Sequence, residues 1–234
     1  MFQGCSAWNI YNPPVGKIDP EKWNSLLHPY LGGPIPAALL QKLEIYLELL
    51  LRWNAKMNLT AIRDPETIIQ RHFGESLFAA RHLPNVPRGT FSSKIVPRGT
   101  LLDHGSGAGF PGLPIALARP EIAVTLSESQ QKKATFLREA ARATGAANIA
   151  VHSGRTETLP AELRFDWVTL RAVDDASSAY PIAAGQVAAG GFLAALEAEI
   201  SAPGLALELL GFAAASVWPI PNSESVLRIY SRSS

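Results

Sequence analysis

Asp103, Gly105, Gly107 and Gly109 fall at D-x-G-x-G-x-G spacing inside TLLDHGSGAGFPGLPIALA, residues 100–118. The stretch runs from apolar residues through an acid into a glycine-rich turn, then into an apolar helix-like segment. A strand–loop–helix of this kind grips a nucleotide-like ligand in open α/β sheets. The same loop fits a second template. Gly107, Gly109 and Gly112 spell G-x-G-x-x-G, and Glu128 stands about 20 residues on, where a ribose-binding acid belongs in a dinucleotide site. Charge separates the two readings. A dinucleotide brings a pyrophosphate that must sit over the loop and helix N-terminus, where an anion is favoured, and Asp103 would oppose it. A ligand carrying positive charge suits an acid at that place.

Read from Asp103, the loop resembles the first motif of class I S-adenosylmethionine-dependent methyltransferases. That donor has no phosphate and carries an ammonium and a sulfonium, which Asp103 can attract directly or through water. Glu128, ending AVTLSE, can accept both ribose hydroxyls bidentately. Phe110 is either the first core residue of its helix or a wall of the ligand site. Arg171 follows the apolar WVTL of a buried strand, at a carboxyl end where ligands of open sheets bind. Its guanidinium can orient a carboxylate or a base; the competing role is pairing with Asp174 or Asp175.

The elements that hold these residues read as α/β. Residues 1–33 form a lead-in with one short helix around Glu21 to Leu27. Residues 34–83 form a helical element: Leu39, Leu43, Tyr46, Leu50 and Trp53 recur at helical spacing, and Asp64–Pro65 suits an N-cap and first turn. Residues 84–99 read as a linker, where VPRGT occurs at 86–90 and again at 96–100. From 100 to 234 strands and helices alternate, which predicts a parallel sheet with helices on both faces. Strands are predicted at 101–102, 122–128, 148–154, 165–173, 191–196 and 225–231, and the tail predicts a further helix from about Pro203.

The chain has 234 residues, 47% hydrophobic and 18% charged, with net charge +1 and one cysteine. No global positive field points to nucleic acid, so any such surface is local. A lone Cys5 permits no disulfide framework and fits a reducing compartment. The N-terminus lacks the pattern of a signal peptide, no window is apolar enough to span a membrane, and a cytoplasmic location is expected. Positive charge does gather locally. Residues 63–98 hold six Lys/Arg against three acids, and residues 131–155 hold five against one.

Beyond the loop, the chain resembles the RsmG (GidB) family of ribosomal RNA small-subunit methyltransferases. DHGSGAGFPGLPIALA carries the signature, and WNAKMNLTAIRDPETIIQRHFGESL, SESQQKKATFLREAAR, GRTETL and LRAV agree in order and spacing. The resemblance spans roughly Leu39 to Leu196. It implies a Rossmann-like class I methyltransferase fold with an N-terminal helical extension, methyl transfer to guanine N7 of small-subunit (16S) ribosomal RNA, and S-adenosyl-L-methionine as donor. Apart from the resemblance, no metal is expected and a monomer is expected. Carried over residue by residue, the resemblance implies donor contacts at Gly105 and Phe110, at Glu128 with Ser129, at Thr156 and Glu157 flanking the adenine, and at Arg171. It implies Asn58, Arg63, His72 and Ser76 on the substrate face. His72 also reads as a hydrogen-bonded core histidine, and Asn58 as a helix terminator. Arg71, Lys132, Lys133 and Arg155 are candidates for phosphate contacts with ribosomal RNA or the assembling subunit.

The chemistry implied asks for no acid–base pair, because guanine N7 already holds an in-plane lone pair. Alignment and exclusion of water suffice. The sequence departs from the family pattern at His104, where an apolar residue is usual, at Glu197, where Lys-Gly is usual, and in a less basic tail. Other readings are a methyltransferase with a different acceptor, a nucleotide-binding oxidoreductase, and a non-catalytic protein that binds donor and RNA.

Overall fold

The computed structural model describes residues 18–84, 99–171, 176–198 and 207–233. Cys5, the first VPRGT copy, Asp174 and Asp175 lie outside that set, as does all of the second copy except Gly99 and Thr100.

The chain begins with helix α1, Pro20–Leu31, opened by Asp19, whose carboxylate accepts the Glu21 N–H at 2.8 Å, and closed by Gly32 at φ +67°. Trp23, Leu26, Leu27 and Tyr30 face the core at helical spacing. The element is therefore longer than the short helix the sequence predicts, and it is packed into the molecule rather than leading into it. Helix α2, Ala37–Met57, buries Leu40, Leu43, Tyr46, Leu47 and Leu50, while Leu39 is only partly covered. Asp64 caps α3, Pro65–Ile68, as predicted, accepting the Thr67 N–H at 2.8 Å. A π-helical turn, Ile69–Gly74, separates α3 from α4, Glu75–His82, where the sequence predicts one unbroken helix.

The sheet orders its strands β3-β2-β1-β4-β5-β7-β6. These are β1, Thr100–His104; β2, Ala123–Ser127; β3, Ile149–His152; β4, Phe165–Arg171; β5, Val187–Ala198; β6, Phe212–Pro219; and β7, Ser225–Arg232. The first five run parallel, and β7 lies antiparallel between β5 and β6. Connecting helices are α5, Gly112–Ala118; α6, Gln131–Ala143; and α7, Ala176–Gly185. Residues alternate across the sheet. Leu101, Trp167 and Ala194 join one apolar cluster with α1, α2, α4, α5 and α6, while Leu102, Val168 and Leu193 join a second with α7. Helices cover both faces, and the N-terminal helices share a continuous core with one of them.

Two expectations for the tail need correction. Residues 212–219 form strand β6, which the sequence reading missed. FAAASVWP is alanine-rich and mostly exposed, so it shows no alternation, and its pairing with β7 makes it a strand. Of the predicted late helix, only Leu207 and Glu208 are helical among the described residues.

Candidate functional site

The order of the strands reverses between β1 and β4, so the loops leaving their carboxyl ends splay apart and open a crevice. A cleft of about 510 Å³ lies there, within the range that holds a nucleoside-sized ligand. The β1–α5 loop, Glu128, Lys133, Leu59, Thr60, His72 and Arg171 border it. A smaller groove of about 390 Å³ adjoins it through Gln130 and is lined by Lys56, Asn58 and Lys132.

The glycine loop is held from beneath and from the side. Gly109 adopts φ +95°, and a Cβ there would lie 2.6 Å from Tyr46 Oη, whose proton goes to the Ala108 carbonyl. Gly105, at φ +67°, is exposed, and a Cβ on it would meet nothing within 4 Å. The backbone here borders open space that a ligand can fill.

Asp103 is not where the charge argument placed it. The side chain is 1% exposed and does not border the cleft. One oxygen accepts the Gly112 N–H at 3.2 Å, the other the Thr169 hydroxyl at 2.9 Å. Burial raises its pKa to about 6, against these hydrogen bonds and the nearby Arg171 charge. Asp103 thus occupies the N-terminus of α5 itself. A pyrophosphate would find that anion position already taken, so the acid opposes a dinucleotide by occupancy rather than by attracting a cation.

Glu128 borders the cleft but is already engaged. Its oxygens accept the Gly107 N–H at 2.9 Å and the Gln130 N–H at 2.7 Å, which locks the loop to the end of β2. A carboxylate retains further lone pairs after two such bonds. Phe110 stacks between Tyr46, at 5.2 Å, and His72, at 4.9 Å, and forms a cleft wall. Thr156, by contrast, is buried. It donates to Ser127 Oγ at 3.0 Å and so accepts from His104 Nδ1 at 2.7 Å. That chain accommodates the unusual His104, whose pKa burial lowers. Ser129 and Glu157 are exposed and lie outside the cleft wall.

Arg171 reaches the cleft from the end of β4. Its Nη2 donates to the Arg71 carbonyl at 2.7 Å and pairs with Glu75 at 2.9 Å, while Nη1 is buried with no partner among the described residues. Glu75 is 2% exposed and was missed by the sequence reading. It also accepts from Ser223 Oγ at 2.8 Å and lies 2.9 Å from Arg71 Nε, a charge contact without an aligned hydrogen bond. Two guanidinium groups share one carboxylate, and the field of both reaches His72. Burial and the two arginines push its pKa down to about 3, so its ring is neutral.

The remaining candidates divide. Lys133 borders the cleft, Asn58 and Lys132 border the groove, and Arg63 donates to Asn58 Oδ1 at 2.7 Å. Arg155 is exposed. Ser76 is not on an outer face: it is 0% exposed and its hydroxyl donates to the His72 carbonyl. Helical spacing placed it beside His72 but could not tell inside from outside. Glu197 is not part of the cleft lining; it pairs with Arg228 Nε at 2.7 Å and accepts from Tyr180. Among the described residues no helix is long and apolar enough to cross a membrane.

A family described as rRNA small subunit methyltransferase G matches residues 39–207. Proteins named ribosomal RNA small subunit methyltransferase G are similar to this chain. The one from Methylobacillus flagellatus is 41% identical over 62% of the chain and 64% of its own length. The one from Halorhodospira halophila is 42% identical over 70% and 72%, and the one from Nitrosomonas europaea is 45% identical over 57% and 56%. Part of each relative is therefore unmatched. Among solved structures, MtNAS in complex with MTA and tNA shares the fold at TM-score 0.56 and 14% identity, over 83% of this chain and 74% of that one. The ribosomal protein L11 methylase of Lactobacillus delbrueckii subsp. bulgaricus does so at TM-score 0.53 and 14% identity, over 70% and 80%.

Proposed function

The chain belongs to the GidB family of rRNA small subunit methyltransferase G, and from that premise we propose that it transfers a methyl group from S-adenosylmethionine to guanine N7 in small-subunit ribosomal RNA. The observation that carries the reading is the crevice at the β1/β4 reversal. A glycine loop, a carboxylate and an arginine whose buried Nη1 has no partner among the described residues border it together.

The residues fit the donor. Gly105 leaves the room that a side chain would fill, and Gly107 is fixed by Glu128. The unused lone pairs of Glu128 suit ribose hydroxyls, and Arg171 Nη1 suits the amino-acid carboxylate. Phe110, its ring stacked between Tyr46 and His72, supplies an apolar edge. Bound there, the donor supplies an electrophilic methyl on a positively charged sulfur. The chain's own groups have only to align the two reactants and exclude water, since N7 needs no base to free its lone pair. A cleft lined by a neutral His72 and an already engaged Glu128 agrees with that demand.

Donor-binding residues belong to the 100–234 portion, and the segment 37–82 supplies the acceptor side through Thr60, between α2 and α3, and His72. Lys133 at the cleft, Lys132 and Asn58 at the groove, Arg63 bonded to Asn58 and the exposed Arg155 are the RNA contacts of this reading, and Lys132 and Arg155 as phosphate partners should steepen the salt dependence of RNA affinity. Labelled methyl transfer to small ribosomal subunits and to naked RNA, followed by nuclease digestion and mass spectrometry, tests the function. Label in 7-methylguanine supports it. Donor binding without transfer to either substrate overturns it.

A further inference from the structure

Thr60 lies between α2 and α3 and borders the cleft beside His72 and Phe110. Its Oγ1 is 2.7 Å from His72 Nε2 and also accepts the Ile62 N–H at 3.2 Å. Two tautomers of the neutral ring satisfy the first contact. With the proton on Nδ1, Thr60 donates to Nε2, and the Nδ1–H is left buried without an acceptor among the described residues. With the proton on Nε2, the ring donates to Thr60, and Nδ1 buries only a lone pair. A buried unpaired N–H is the costlier of the two. The positive field of Arg171 and Arg71 also favours a bare nitrogen inside. The proton therefore belongs on Nε2.

That assignment fixes the character of Thr60. A hydroxyl has two acceptor sites and one proton. Both acceptor sites are filled, one by His72 and one by Ile62, and only the proton remains to offer. Thr60 is half-buried at the cleft wall, so whatever occupies that side meets a hydrogen-bond donor and no acceptor.

We propose that Thr60 donates its hydroxyl proton to O6 of the target guanine, and so admits a 6-oxopurine while turning adenine away. The proposal rests on the guanine-methylating reading above. On the exposed edge of guanine, O6 neighbours N7 and is an acceptor; adenine carries an amino donor at the same place. Thr60 borders the same cleft as the glycine loop and Glu128, so a purine that turns N7 toward a donor held there, with its N7–O6 edge along Thr60, would set its 6-substituent against the Thr60 hydroxyl. A second donor there would face the Thr60 proton head-on. Thr60 is thus assigned to substrate choice rather than to holding the donor.

The test begins by mapping the guanine that the wild-type protein methylates. Transcripts then carry adenine or inosine at that position, inosine keeping O6 and N7. The wild type should modify guanine and inosine and leave adenine unmodified. Thr60→Val should lose about tenfold in kcat/KM on guanine and show a smaller guanine-over-adenine preference, with donor affinity unchanged by calorimetry. Thr60→Ser should keep both rate and preference. A Thr60→Val protein with wild-type rate and wild-type preference overturns the proposal alone. A wild-type protein that binds donor but labels no guanine overturns the functional reading and the proposal with it.

Discussion

At the scale of single residues, Glu75 governs the site without bordering it. Its carboxylate offsets Arg171 and Arg71 at once and accepts from Ser223 in the turn between β6 and β7. Glu75→Gln keeps the shape and removes the charge. It should lower stability by on the order of 3 kcal/mol, since a buried guanidinium loses its partner; Arg71, 41% exposed, adds little because solvent screens it. Urea unfolding measures this, and an unchanged midpoint would show that the pair is idle. His72 gives a second outcome. Its folded pKa, about 3, lies below the ordinary 6.5, so folding favours the neutral ring. That contribution is complete above pH 6.5 and is lost as pH falls from there toward 3. His104 is shifted in the same direction and adds to the slope. His72→Gln should flatten the fall of the urea midpoint between pH 6.5 and 4; an unaltered slope would mean that His72 titrates alike in both states. The sequence already reads His72 as a hydrogen-bonded core histidine, which its burial and its contact with Thr60 match, but the role of Glu75 is not visible there. RHFGES shows a basic pair and an acid, but the partner of Glu75 comes from β4, brought near only by the fold.

At the scale of elements, the π-helical turn Ile69–Gly74 is the device that serves the site. A π turn adds a residue to the helical repeat and re-aims the side chains within it, frequently at functional positions. Here it carries Arg71, whose carbonyl accepts from Arg171, and His72, which faces Phe110. Gly74 ends the turn against α1, and a Cβ there would lie 2.7 Å from the Tyr30 ring. Gly74→Ala should push α1 and the turn apart, lowering the melting temperature and weakening donor binding together. Loss of stability with unchanged donor affinity would show that the turn does not set Arg171. Local signals explain which elements were legible. Asp64–Pro65 announces its helix because a cap needs only neighbouring residues, and the glycine loop announces its crevice for the same reason. Strand β6 was not legible because an alanine-rich edge strand owes its form to β7, and the π turn was not because its residues keep ordinary helical spacing.

At the scale of the whole molecule, the doubly wound sheet was readable from the alternation of apolar strands and helices after residue 100, and the crevice from the loop at β1. The integration of the N-terminal helices was not. Tyr46, Trp23 and Phe73 form one aromatic run that meets Phe110 at the loop, so the helical part and the sheet share a core rather than a boundary. The site is built across that shared core: the sheet brings the glycines, Glu128 and Arg171, and the helices bring Thr60, His72 and Glu75. Asp103, seated on the α5 N-terminus, makes the crevice unsuited to a diphosphate. Isothermal titration with S-adenosylhomocysteine and, separately, with NADH tests this most directly. Saturable one-to-one binding of the adenosine thioether is expected, weakened at least tenfold by Arg171→Ala, with no heat from the dinucleotide. Tight binding of NADH with none of S-adenosylhomocysteine would contradict it.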